Sequence, residues 1–234
     1  NGVPLTNRGG GIAVQSTGNL EINDSVVSDN SAGPGIGGGA WINGTLKIRR
    51  SEVRANSANI GGGIAVASGG NVQIAQSSIR TNNAESIGGG MDILGSMIFA
   101  QSSLVDNTAE YGGGANVSGS IGRFVVINST VAGNSAIMSG GGLYLNSLSI
   151  SNVYNTTVAF NRADSSGAGV YVSLDSGSSA TFNIRGTIIA SNTSGASAQP
   201  DDCNGFINSY GQNRIATLGA FLNCAIDTVT GSWD

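Results

Sequence analysis

Residues 46–66 read LKIRRSEVRANSANIGGGIAV, and the same phrase recurs along the 234-residue chain. It consists of an apolar-x-apolar strand, a Ser or Thr, one aliphatic residue, an Asn and, shortly afterwards, a glycine triplet. The Asn falls at Asn30, Asn56, Asn82, Asn107, Asn134, Asn161 and Asn192, in steps of 26, 26, 25, 27, 27 and 31 residues. Self-similarity at such a period is the signature of a solenoid, whose units bury their apolar faces only by stacking on one another.

Aligning the repeats on the Asn brings the preceding strand into register without a gap. Upstream stand Leu20 and Ile22, Leu46 and Ile48, Val72 and Ile74, Met97 and Phe99, Phe124 and Val126, Ser151 and Val153, then Phe182 and Ile184. This is period-two alternation with the apolar side turned inward. Ser25, Ser51, Ser77, Ser102, Ser129, Thr156 and Thr187 follow at one fixed offset. Beyond the Asn come glycine triplets beginning at Gly37, Gly61, Gly88, Gly112 and Gly140, with Gly9 as the opening instance and Gly167-Ala168-Gly169 as a variant, each leading into a second short strand such as Ile64-Ala65-Val66.

Strands this short and this close together leave no room for crossover helices, so the economical solution is for each coil to stack its strands in parallel on the next. A period near 26 is too long for the left-handed hexapeptide prism, and parallel crossovers are overwhelmingly right-handed. The expected fold is therefore all-β: a right-handed parallel β-helix of about seven coils over residues 1–198, with an irregular C-terminal cap and tail of the same domain over 199–234. The recurring Asn is expected at a tight bend, where it tolerates the left-handed region and bonds to its counterpart in the next coil. The register also predicts that Glu21 stacks against Lys47 and Asp24 against Arg50.

Charged residues are 10% of the chain, Lys47 is the sole lysine, histidine is absent and the formal net charge is -4. That balance disfavours a nucleic-acid partner, which needs clustered cations to neutralise phosphates, and the grouped Arg49, Arg50, Arg54 and Arg80 read as a solvated face. No apolar run approaches the roughly 18 residues of a membrane span. The chain opens at Asn1 without an initiator Met, which points to a processed product. Cys203 and Cys224, the two cysteines, are expected to form a disulfide closing the cap, which fits an oxidising, extracellular compartment; two reduced cysteines are the alternative.

The coupling of Asn-[Ser/Thr]-Ala to Gly-Gly-Gly-aliphatic resembles the repeats of polymorphic outer-membrane proteins. More broadly it resembles bacterial secreted proteins of the pectin-lyase-like β-helix superfamily. The stretch from Pro200 through Cys203, Tyr210 and Asn213 to Cys224 looks like the end piece of bacterial surface β-helix proteins. That resemblance implies architecture and a surface location, and it brings the superfamily's polysaccharide enzymes into consideration.

Their chemistry needs an Arg base beside acidic Ca²⁺ ligands, or two or three carboxylates across a groove. Neither pattern is legible, and no catalytic residue, cofactor or metal site is predicted. Asp201-Asp202, the only adjacent acidic pair, reads as turn and solvation residues. Gly33-x-Gly35-x-x-Gly38 lacks the helix that a dinucleotide fingerprint requires. The outward stripe of the post-glycine strands carries Trp41, Tyr144 and Tyr171, which offer either a ligand or partner surface or simply a stack joining neighbouring strands. Ile226, Thr228, Val229 and Trp233 form a β-prone tail, expected to pair with the open first coil of another copy and so give a head-to-tail fibre. The expectation is an extracellular or cell-surface, non-catalytic solenoid (adhesin, stalk or fibre subunit) with a second copy or a glycan as partner. The alternative is a carbohydrate-active enzyme or glycan-binding module.

Overall fold

A full coil lays down four short strands. In the second coil these are Thr45–Arg49, Glu52–Arg54 and Ser57–Ile60, then Ile64–Val66 after the glycine triplet. In the computed structural model, which describes residues 7–146, 148–173, 180–217 and 224–228, these strands stack coil upon coil into a parallel β-solenoid of about seven turns. Four faces result, named here in chain order from the post-glycine strands. The first and second faces join, through the long last strand Cys203–Ser209, into one 16-stranded sheet; the third and fourth are sheets of eight and seven strands. No helix occurs among the described residues.

The register is the one the aligned sequence predicts. Val72 lies between Leu46 and Met97, and Ile79 between Val53 and Leu104. Inward residues of all coils merge into one apolar core that runs the length of the rod, with Phe99, Phe124, Phe182, Met91 and Met97 fully buried. Phe99 and Phe124, from adjacent coils, pack with ring centroids 6.4 Å apart. On the outside Lys47 reaches Glu21 at 3.3 Å, and the Arg50 guanidinium grips Asp24 through two bonds of 2.7 Å. That bidentate pairing holds the Asp24 carboxyl below its ordinary range.

Two corners of every coil are turned by a single residue in the left-handed region. Asp24, Arg50, Gln76, Gln101, Asn128, Asn155 and Gly186 make the first corner; Asp29, Ala55, Thr81, Asp106, Gly133, Phe160 and Ser191 make the second. The left-handed residue is thus the one before the Asn and not, as expected, the Asn itself. The reason is geometric: the corner residue swings its side chain outward, and the next residue then points into the core with its N–H aimed along the rod. At the glycine turn Gly88 needs its φ of +68°, and a Cβ on Gly89 would run into the carbonyls of Thr108 and Gly113 on the next coil.

The C-terminal segment is irregular in its connections and regular in its pairing. Gln199–Pro200 turns back antiparallel on Thr193–Ser194. Cys203–Ser209 and Arg214–Ile215 then return to the parallel stack, and Cys224–Thr228 adds one more strand against Cys203–Ser209. Cys203 and Cys224 form a disulfide, with Cα atoms 5.4 Å apart, that pins this last strand. It closes a loop across a sequence separation of 21, for which chain entropy gives about 3 kcal/mol. Reduction is expected to lower stability by that amount and to release strand 224–228 before any other. Hydrogen exchange under reducing conditions checks this, and uniform protection across the last two strands would contradict it.

Candidate functional site

The interior corner residues form two continuous ladders. In the first, the backbone N–H of Asn30 donates to Asn56 Oδ1 at 3.0 Å, and the Asn30 Nδ2 donates to the same oxygen at 3.0 Å. The pattern repeats through Asn82, Asn107, Asn134, Asn161 and Asn192. In the second, the N–H of Ser25 donates to Ser51 Oγ, and so on through Ser77, Ser102, Ser129 and Thr156. Each corner deprives an N–H of its strand partner, and the inward side chain of the next coil supplies the acceptor. A buried N–H left without one would cost roughly 1–3 kcal/mol.

The Asn ladder ends on an acid. Asp202 is 1% exposed, and its Oδ1 accepts from the Asn192 N–H at 3.0 Å and from the Asn192 Nδ2 at 2.8 Å, while its Oδ2 accepts from the Thr217 N–H at 2.8 Å. Asp201 is buried as well and accepts from the Gly167 N–H at 2.8 Å. Burial pushes its carboxyl up, against hydrogen bonds from Ser194, Gly167 and Ala168. The acidic pair is therefore not a solvated turn, as expected from sequence, but the structural terminus of the ladder. A carboxylate suits the place because it only accepts, and every group it meets donates.

The outward stripe of the first face reads Ala13, Trp41, Ala65, Asp92, Asn116, Tyr144 and Tyr171, in that stacking order. Tyr144 and Tyr171 stack nearly parallel, with centroids 5.0 Å apart and an interplanar angle of 6°, and Tyr111 packs at a tilt against Tyr144. Trp41 belongs to a different part of the surface. Four rungs separate it from Tyr144, about 19 Å along the rod. It is 5% exposed, with the Arg8 guanidinium 4.9 Å from its ring centroid. Trp41 faces outward as the alternation predicts and is nonetheless covered, because facing outward on a strand is not the same as facing water when a neighbouring cation lies over the ring.

Between Trp41 and Leu94 the stripe is the floor of a cleft of about 400 Å³, with Ile36 and Ile60 among its walls. Asp92 lies in it, 3% exposed, accepting from Asn116 Nδ2 at 2.7 Å. Burial pushes its carboxyl up to about 6, only partly offset by the Asn116 bond. The native state thus binds this proton more tightly than the unfolded chain does. Stability from the group is complete below pH 4 and is lost as pH rises through about 6. Asp92→Asn is expected to stabilise the protein by roughly 3 kcal/mol at pH 7.5 and by well under about 1 kcal/mol at pH 4; thermal unfolding at both pH values checks the difference.

Asp92 is the one carboxylate lining the cleft among the described residues, whereas glycosidic hydrolysis by the common route needs two acids a few ångströms apart. The described residues contain no cluster of three or more metal-ligating side chains and no helix long and apolar enough to cross a membrane. Ile226 and Thr228 lie on strand Cys224–Thr228, one edge of which pairs with Cys203–Ser209 of its own chain; pairing with another copy would have to use the opposite edge. Val229 and Trp233 lie outside the described residues. Sequence reasoning missed Asp202 and Asp92 as buried acids. A signal did exist for Asp92, since it is the only acid in the stripe formed by the middle residues of the post-glycine strands.

No protein-family model, no curated protein and no solved structure matches this chain.

Proposed function

We propose that the chain is a non-catalytic, extracellular binding rod, a structural or adhesive solenoid of the kind its resemblance to polymorphic outer-membrane and pectin-lyase-like surface proteins implies. The observation that carries this reading is the unbroken ladder from Asn30 to Asp202. Inward polar side chains at every coil serve cohesion along the rod, and the outer faces are left to present surface. The Cys203–Cys224 bridge supports an oxidising compartment. A glycan is the second partner to weigh, on the strength of the stacked Tyr144 and Tyr171. Beads coated with the purified chain are expected to attach to cells or to immobilised polysaccharide without releasing new reducing ends or unsaturated sugars. Turnover of the polysaccharide would replace the reading with an enzymatic one, and failure to attach to any surface would leave a purely structural rod.

A further inference from the structure

The cleft on the first face is shaped by one small residue. Along the outward stripe Trp41, Ala65 and Asp92 occupy consecutive rungs, so the methyl of Ala65 lies between an indole and a carboxylate. One wall comes from the column ahead of the glycine turns, where Ile36 pairs with Arg8 on one side and with Ile60 on the other. The opposite wall is the stretch that follows the post-glycine strands, where Leu94 is 39% exposed. An alkyl chain laid over Ala65 would bury apolar surface on three sides.

Two unlike charges face this apolar channel, and neither is paired with an opposite charge. Asp92 accepts through Oδ1 from Asn116, and its Oδ2 has no hydrogen-bond partner among the described residues. Only Ser149 and Ser151 hold a fully buried side-chain oxygen without a partner among those residues, so Asp92 Oδ2 borders open space, and the cleft that Asp92 lines is that space. At the other end the Arg8 guanidinium lies over Trp41 and belongs to none of the ion pairs among the described residues. Residues 1–6, which precede it, contain no acidic or basic side chain. Two rungs separate Trp41 from Asp92, which sets the two charges on the order of 10 Å apart. That is beyond the reach of a direct ion pair.

We infer that the cleft binds an aliphatic zwitterion, an ammonium and a carboxylate joined by about five carbons, as in an ω-amino acid or a C-terminal lysine. The ammonium donates to Asp92 Oδ2, the carboxylate takes the planar fork of Arg8, and the methylenes lie over Ala65 between Ile36, Ile60 and Leu94. Extended, such a molecule spans somewhat less than the gap, which leaves a hydrogen-bond distance to be taken up at each end. An amine alone would be repelled by Arg8, and an anion alone by Asp92. The volume of about 400 Å³ lies within the range typical of small-ligand sites. Around Asp92 the neighbouring rungs supply Ala65 and Asn116, the pre-glycine column supplies Ile60, Ile87 and Tyr111, and Glu85 is exposed outside the lining. Asp92 is therefore the group of the cleft that changes charge near pH 6, and it holds the ammonium only when ionised.

Calorimetric titration of the purified chain at pH 7.5 compares 6-aminohexanoate with pentylamine and hexanoate, which keep one charge each. The zwitterion is expected to bind at least about tenfold more tightly than either. Asp92→Asn, stabilised at this pH by loss of the buried charge, is expected to bind the zwitterion no more tightly than hexanoate. Arg8→Gln is expected to bind it no more tightly than pentylamine. Lowering the pH to 5 should weaken binding to the unmodified chain roughly tenfold, as the ionised fraction of Asp92 falls. A peptide ending in lysine and its C-terminal amide form the last pair. Binding of the peptide acid assigns a chain terminus as the ligand, and binding of 6-aminohexanoate alone assigns a free amino acid; either result upholds the site. No binding of 6-aminohexanoate at millimolar concentration, equal affinity for the single-charge probes, or affinity unaltered in both variants would overturn it. Because the measurement is on the free chain, its failure is separable from failure of the attachment assay.

Discussion

Asn134→Ala is expected to lower stability by about 3–5 kcal/mol and the melting temperature by on the order of 10 °C. The side chain is fully buried. Its Nδ2 donates to Leu104 O at 2.9 Å and to Asn161 Oδ1 at 3.0 Å, and its Oδ1 accepts from both nitrogens of Asn107. Truncation therefore strands donors and acceptors on three coils at once, where water has no access. Asn30→Ala is the internal control: at the first rung the side chain donates to Ser28 O and Asn56 Oδ1, and its oxygen accepts from no other residue among the described ones, so the loss should be well under half as large. Equal midpoints for Asn134→Ala and the unmodified chain in urea would show that the ladder contributes nothing.

The second large effect is expected at the ladder's end. Asp202→Ala removes the acceptor of three N–H groups, two on Asn192 and one on Thr217, at a cost of about 3–4 kcal/mol. Asp202→Asn should retain roughly half of that, since an amide oxygen still accepts from Asn192 while its NH₂ meets the Thr217 N–H donor to donor. Hydrogen exchange distinguishes the outcomes: in Asp202→Ala, protection should fall first at Asn192 and Thr217 and decline toward Asn161. If Ala and Asn variants were equally stable, the acceptor role would be excluded.

The solenoid was legible because every coil must place apolar side chains and a polar corner residue at the same offsets, and that requirement prints the period on the chain. What lies outside the period was not. Asp202 stands only ten residues after Asn192, and only the antiparallel return through Gln199–Pro200 carries it beneath that Asn. The left-handed corners escaped notice because residues as different as Asp29, Ala55, Thr81 and Phe160 occupy them, leaving no compositional trace. The surface was the least legible part. Alternation correctly turned Trp41 outward, but a guanidinium from the preceding coil covers it, and no pattern within one repeat reports that contact.

The chain of amides has a direction. Every Nδ2 hands one proton to the oxygen of the next corner residue toward the C-terminal end, and from Asn56 onward its other proton goes back to a carbonyl of the coil before, so the side-chain links run one way and the last of them needs an acceptor, which Asp202 supplies. Asp202 acts in effect as a stop codon for stacking. Any number of Asn coils can precede it, since each presents to the one behind it the oxygen that its own partner presents to it. Rod length is then a free variable of the design, set by repeat copy number and independent of how either end is finished. Duplicating residues 57–82 would lengthen the rod by about 4.8 Å without altering a single contact at the terminator.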